Sequence, residues 1–188
     1  HGVVQAFPAA FNAVKKQPIK LIPGCEGYLI DETQVVTDED DRSIDDTIVV
    51  LDFESTGLDT VKDRVIEIGA VKMTGGTLVD TLSILVNPKV PLRPKITEIT
   101  GITDMMLADK ETAETAIPKL MDFIGDAAIA AHNAAFDGKL LKADLRRLGR
   151  EFNAPILDTL SLSRKLLPEL KSFKLKSVCK ALSVSLKN

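Results

Sequence analysis

Asp52 and Glu54 stand two residues apart, directly after the apolar run Ile48-Val49-Val50-Leu51. Alternate side chains of a strand point to one face, so two carboxylates at this spacing share a face at the strand's end. Paired carboxylates are hard oxygen donors and suit a divalent cation. Gly57 follows, where the chain must turn. A further acid closes the stretch Ala131-His132-Asn133-Ala134-Ala135-Phe136-Asp137. A short strand ends near Ala131, Asn133 is placed to cap the next helix, and Asp137 falls in that helix's first turn. Phe136 can turn inward with Leu140 and Leu141. Each group also has a plain structural use. Asp52 and Glu54 fit a solvated strand end, and Asp137 fits a side chain that complements a helix dipole.

The elements that must position these residues follow from hydropathy patterning. Ile48–Leu51 is continuous, apolar and largely β-branched, which predicts a strand buried on both faces. Residues 64–73 alternate around Val65, Ile66, Ile68 and Val71, and Gly75-Gly76 supplies a turn into a third strand over 78–86. Pro88, Pro91 and Pro94 then mark a change to helical character. Residues 112–124 form an amphipathic helix with Ile117, Leu120, Met121 and Ile124 on one stripe. A short strand over 127–131, a helix over 134–148 ended by Gly149, a possible strand over 155–157 and further helices complete the chain. Three antiparallel strands, helices, strand, helix, strand and helices predict an α/β fold with a mixed central sheet flanked by helices. Before this unit, Val4, Phe7, Phe11 and Val14 repeat at helical spacing, and residues 19–30 suggest two short strands and a turn. Residues 37–46 carry six acids and one base, which marks an exposed linker.

Charge is divided unevenly along the chain. Residues 1–137 hold 12 Lys+Arg against 23 Asp+Glu, and residues 138–188 hold 12 against 4. An acidic part can hold metal while a basic part meets phosphates, although solvated helix faces account for the same division. No stretch of 18 apolar residues occurs, so no membrane span is expected. Two distant cysteines, Cys25 and Cys179, fit a reduced cytoplasmic protein.

Asp52-Phe53-Glu54-Ser55-Thr56-Gly57-Leu58 followed by His132-Asn133-x-x-Phe136-Asp137 resembles the first two motifs of the DEDD-type 3′→5′ exonucleases. Ile66-Glu67-Ile68-Gly69-Ala70-Val71 and Ile99-Thr100-Gly101-Ile102-Thr103 match that family's second strand and nucleotide-facing loop. The resemblance covers residues 47–188 and is nearest to the proofreading exonucleases of PolC-type DNA polymerase III. It implies a ribonuclease H-like fold, with two Mg2+ or Mn2+ ions on Asp52, Glu54 and Asp137. It also implies that Ser55, Thr56, Gly57, Leu58, Gly101, Ile102, His132, Asn133 and Phe136 face the terminal nucleotide of a single-stranded or frayed DNA 3′ end. Asp158 matches a helix-start residue outside the metal set.

His1 to Pro8 and Gly24 to Leu29 look like part of a polymerase-and-histidinol-phosphatase (PHP) domain. The expected organisation is a partial PHP segment over 1–36, the linker over 37–46 and the exonuclease over 47–188. His1 and Glu26 match PHP metal positions, but the other ligands are absent. Polymerase and PHP parts of an intact chain, and replisome subunits such as the sliding clamp, are the implied partners. Ser172-Phe173-Lys174-Leu175 and Val178 to Leu182 resemble the approach to a third motif, whose His and Asp would follow Asn188. The chain by itself is therefore expected to be impaired. The alternatives are a noncatalytic nucleic-acid-binding module of the same fold and an RNA-trimming member of the family.

Overall fold

The computed structural model describes residues 7–18, 20–21, 43, 45–152 and 154–185. Two compact units divide the chain, His1–Glu32 and Thr33–Asn188. In the first, helix α1 spans Phe7–Val14, and Phe11 on it is exposed. Of the stretch 19–30 only residues 20 and 21 are described, and neither is in a strand; the rest of it and most of the acidic linker lie outside the described residues, as do His1 and Glu26.

The second unit is built on one sheet. Strands β1 (Ile48–Ser55), β2 (Val65–Thr74), β3 (Thr77–Leu85), β4 (Ala128–Ala131) and β5 (Ile156–Asp158) stand in the order β3-β2-β1-β4-β5. The first three pair antiparallel, and β4 and β5 join parallel to β1 and to each other. The mixed sheet expected from the element order is therefore present. Gly75 and Gly76 both take positive φ, 55° and 72°, as a two-residue hairpin turn matched to strand twist demands.

Helices α2 (Pro94–Thr100), α3 (Asp104–Leu107) and α4 (Ala113–Ile124) fill the crossover between β3 and β4. Helix α5 (Ala134–Arg147) joins β4 to β5, and α6 (Thr159–Leu166) and α7 (Leu175–Ala181) follow. Ala116, Ile117, Leu120 and Ile124 of α4 and Leu140, Leu141 and Leu145 of α5 bury against Val49, Leu51 and Phe53. A smaller cluster holds Ile66, Leu92, Ile102 and Leu107.

One expectation is corrected. The run Ile48–Leu51 predicts a strand buried on both faces, yet β1 alternates, with Val50 and Asp52 exposed between buried neighbours. The face carrying Val50 opens into an apolar cavity of about 540 Å³ lined by Leu162, Leu166, Val178 and Leu182 of α6, α7 and the residues after them. β-branched side chains on both faces read alike in sequence, whether the covering layer is tight or open.

Candidate active site

β4 pairs with β1 only from Ile48 to Val50, so β1 runs on past its parallel neighbour. Helix α5 begins beside this step. Asp137, in its first turn, sends Oδ1 to accept the Phe53 N–H at 3.2 Å across 84 residues of sequence. That bond satisfies a buried donor of the strand and brings Asp137 beside Asp52 and Glu54.

The three acids feel one another. Burial, then the charge of Asp52, pushes the Asp137 carboxyl up to about 7, and the N–H of Phe53 only partly opposes this. Burial, then Asp52 and Glu67, raises Glu54 as well. Among the described residues, no three His, Cys, Asp or Glu side chains are gathered closely enough to hold an ion as they stand. The expected metal ligands thus form a neighbourhood of repelling carboxylates rather than a closed ligand set. The donor chemistry fits a hard divalent cation, because three oxygen acids stand together and burial and mutual charge raise two of them, Glu54 and Asp137.

Glu54 lines a cleft of about 500 Å³. One wall is the loop between β1 and β2, with Gly57 and an almost fully exposed Leu58. The other is α2, with Ile96, Ile99 and Thr100, and Phe136 of α5 contributes a third side. Asp52 instead lines the apolar cavity, beside His132.

The predicted nucleotide-facing residues divide accordingly. Gly57, Leu58 and Phe136 line the cleft, as does Ser55, whose hydroxyl donates to the Gly57 carbonyl at 2.6 Å. The Thr56 hydroxyl donates to Asp63 and accepts from the Arg64 N–H, so it braces the loop. Gly101 caps α2 with φ 76°, and Ile102 is buried in the smaller core. Ile99 and Thr100 present the side chains of that segment instead. Arg93 and Lys95 also line the cleft and were missed by sequence reasoning. Their signal was two bases on either side of Pro94, which charge alone does not separate from a solvated face.

His132 uses both ring nitrogens internally. Nδ1 lies 3.1 Å from the Thr159 hydroxyl and Nε2 lies 2.8 Å from the Phe173 carbonyl. A carbonyl only accepts, so Nε2 carries a proton. Asn133 is exposed, holds a left-handed backbone with φ 69° and makes no side-chain cap bond. The cap expected from Asn133 comes from Asp158, whose Oδ1 accepts the N–H groups of Asn133 and Ala134. Asp158 also caps α6 through Leu160 and Ser161. Burial raises its carboxyl, but these four hydrogen bonds outweigh that and hold it below the usual carboxylate range. Asp158→Ala should therefore destabilise the chain by about 2 kcal/mol, two helix starts at about 1 kcal/mol each, read by urea denaturation at pH 7. Because the folded-state pKa is depressed, this contribution is complete above the unfolded value near 3.8 and fades as pH falls below it.

Residues 49–188 match the model of the RNase T exonuclease family. The chain belongs to that family. The PolC-type DNA polymerase III of Clostridium perfringens is 47% identical over 189 residues, covering 100% of this chain and 13% of the relative. That of Bacillus subtilis is 40% identical over 190 residues, with 99% and 13% covered. The chain thus spans 13% of the length of these relatives. Among solved structures, exonuclease X in complex with 5′ overhanging duplex DNA is 28% identical, with a TM-score of 0.62 over 74% of this chain and 75% of that one. A product-bound exonuclease I shares the fold, with a TM-score of 0.66 at 20% identity over 74% and 39% of the two chains. The exonuclease family resemblance carried by the motifs around Asp52 and Asp137 is borne out, and so is the ribonuclease H-like fold. Among the described residues, no helix is long and apolar enough to cross a membrane.

Proposed function

We propose that this exonuclease domain removes nucleotides from DNA 3′ ends with a divalent metal, as the proofreading part of a PolC-type DNA polymerase. The observation that carries the reading is the Phe53 N–H bond, which gathers Asp137 to the acids of β1 beside a cleft with apolar walls. Asp52, Glu54 and Asp137 would hold Mg2+ or Mn2+. Such ions supply positive charge to the attacking and leaving oxygens of a phosphodiester.

The protein's own part is to place the 3′ end. Leu58 and Ile99 expose apolar side chains on opposite walls, suited to the faces of a base. Phe136 closes the slot near Asp137. A paired end must first be unstacked to enter, so single-stranded or frayed ends fit best. Below about pH 7 the raised Asp137 carboxyl holds a proton, so ion binding there would be coupled to its loss.

The test is release of mononucleotides from a 3′-labelled strand in magnesium. It is run on the chain alone and on the Clostridium perfringens relative carrying the chain in place of its matching residues. DNA should be trimmed from the 3′ end in the longer setting, with EDTA abolishing the release. Faster trimming of RNA than of DNA would transfer the reading to RNA processing. Loss of all trimming in the longer setting, while polymerisation persists, would sink it.

A further inference from the structure

The Arg93 guanidinium crosses the end of the cleft, where neither the acids nor the core requires a cation. Its Nε and Nη2 donate to the Thr56 carbonyl, and Nη2 also meets Asp63 Oδ1 at 3.2 Å. Asp63 in turn accepts the Thr56 hydroxyl at 2.9 Å and the Asp59 N–H at 2.9 Å, folding the β1–β2 loop on itself. Arg93 itself belongs to the other wall. It is the residue before α2, and the following Pro94 holds it extended, at φ −69° and ψ 139°. Its neighbour Leu92 is buried, with its N–H bonded to Asp104. The backbone is thus fixed on both sides, and the side chain reaches across 37 residues of sequence to the loop.

Gly57 carries an independent mark of this contact. A Cβ there would lie 1.7 Å from Arg93 Nη2 and 2.5 Å from Asp63 Oδ2. Gly57 is not among the positive-φ glycines. A side chain at Gly57 would therefore push the guanidinium and its carboxylate partner out of this contact rather than strain a left-handed turn.

We propose that Arg93 is a positioning residue of the cleft, tying the β1–β2 loop to α2 so that Leu58 and Ile99 stand at a set separation beside Glu54. The side chain of Arg93 is 64% exposed, so the pair with Asp63 adds little to folding. Its effect falls on the geometry of the walls. A planar fork serves Thr56 and Asp63 together, which a lysine ammonium cannot do in the same plane.

Only the choice of DNA as probe rests on the exonuclease reading. The experiment compares the 188-residue chain with Arg93→Ala, Arg93→Lys, Gly57→Ala and the Gly57→Ala/Arg93→Ala pair. Amide hydrogen exchange over residues 58–62 is read without ligand. The Kd for a fluorescent single-stranded oligodeoxynucleotide is read in calcium. Arg93→Ala should speed loop exchange and raise Kd about tenfold, the scale of one lost charge-assisted hydrogen bond. Its melting temperature should stay within about 2 °C, as for an exposed ion pair. Arg93→Lys should recover part of both effects. Gly57→Ala should reproduce the Arg93→Ala Kd, and combining the two should add less than about twofold, since both break one contact. Unchanged exchange and Kd in Arg93→Ala, or effects that multiply in the pair, would overturn the proposal. If no variant binds DNA but exchange follows the stated pattern, the clamp stands and the DNA reading falls.

Discussion

Asp52→Ala should lower mononucleotide release by about 10³-fold or more, the scale of losing a principal charge-organising group at a hydrolytic centre. Asp52 is exposed on β1, beyond the residues that pair with β4. Its charge is the second cause, after burial, of the raised Asp137 pKa. Removing it should lower the Asp137 pKa and leave the fold intact or slightly more stable. The variant thus separates chemistry from stability. It is assayed in the longer relative carrying this chain, with thermal denaturation of the chain alone beside it. A variant that trims DNA at the unsubstituted rate would end the assignment of the chemistry to this strand end. A variant that unfolds would show that Asp52 has a structural part the geometry does not contain.

Asp137→Asn should abolish trimming and yet stabilise the metal-free chain at pH 8. The Asp137 carboxyl is buried, and its pKa stands at about 7 in the fold against 3.8 unfolded. The folded state therefore binds more protons than the unfolded state between these values. Stability falls as pH rises from about 4 to 7, and the full cost stands above 7. At about 1.4 kcal/mol per unit, the removable cost is on the order of 2–4 kcal/mol, the upper figure being a bound. Asparagine keeps an oxygen to accept the Phe53 N–H, so the bond that positions α5 survives. Urea denaturation in EDTA at pH 5 and pH 8 measures the effect. The variant should gain on the unsubstituted chain at pH 8 and much less at pH 5. Magnesium should stabilise the unsubstituted chain at pH 8 and leave the variant nearly unmoved. Equal pH dependence in both chains would remove Asp137 from the coupled acids.

The two predictions share a physical origin. The proposed metal site would be built from acids that repel one another without positive charge. Asp137 bears most of that cost because it is the most buried of the three. Stability given up at such a position is the usual mark of a working site.

By itself the sequence determined the elements and the acids. Alternation around Val65–Val71, the Gly75-Gly76 turn and the stripe Ile117–Ile124 are local patterns, and local periodicity fixes which face of an element is apolar. The spacing of Asp52 and Glu54 sufficed to put them on one face of β1. The motifs on either side of them were enough to suggest the family. Tertiary structure decided everything that depends on where two elements meet. That β4 stops pairing at Val50, and that Asp137 caps the donor so exposed, arises only when strand and helix lengths are set against each other. Asp158 displaced Asn133 as the cap of α5 because β5 ends beside β4, a neighbour 25 residues away in the chain. Ile102 went to the core and Ile99 to the cleft because α2 turns on Gly101, and helical spacing carries no record of which side of a short helix another layer will cover. Arg93 and Gly57 met for the same reason. A side chain's partner across 37 residues is selected by packing, and nothing in the spacing of either residue announces it.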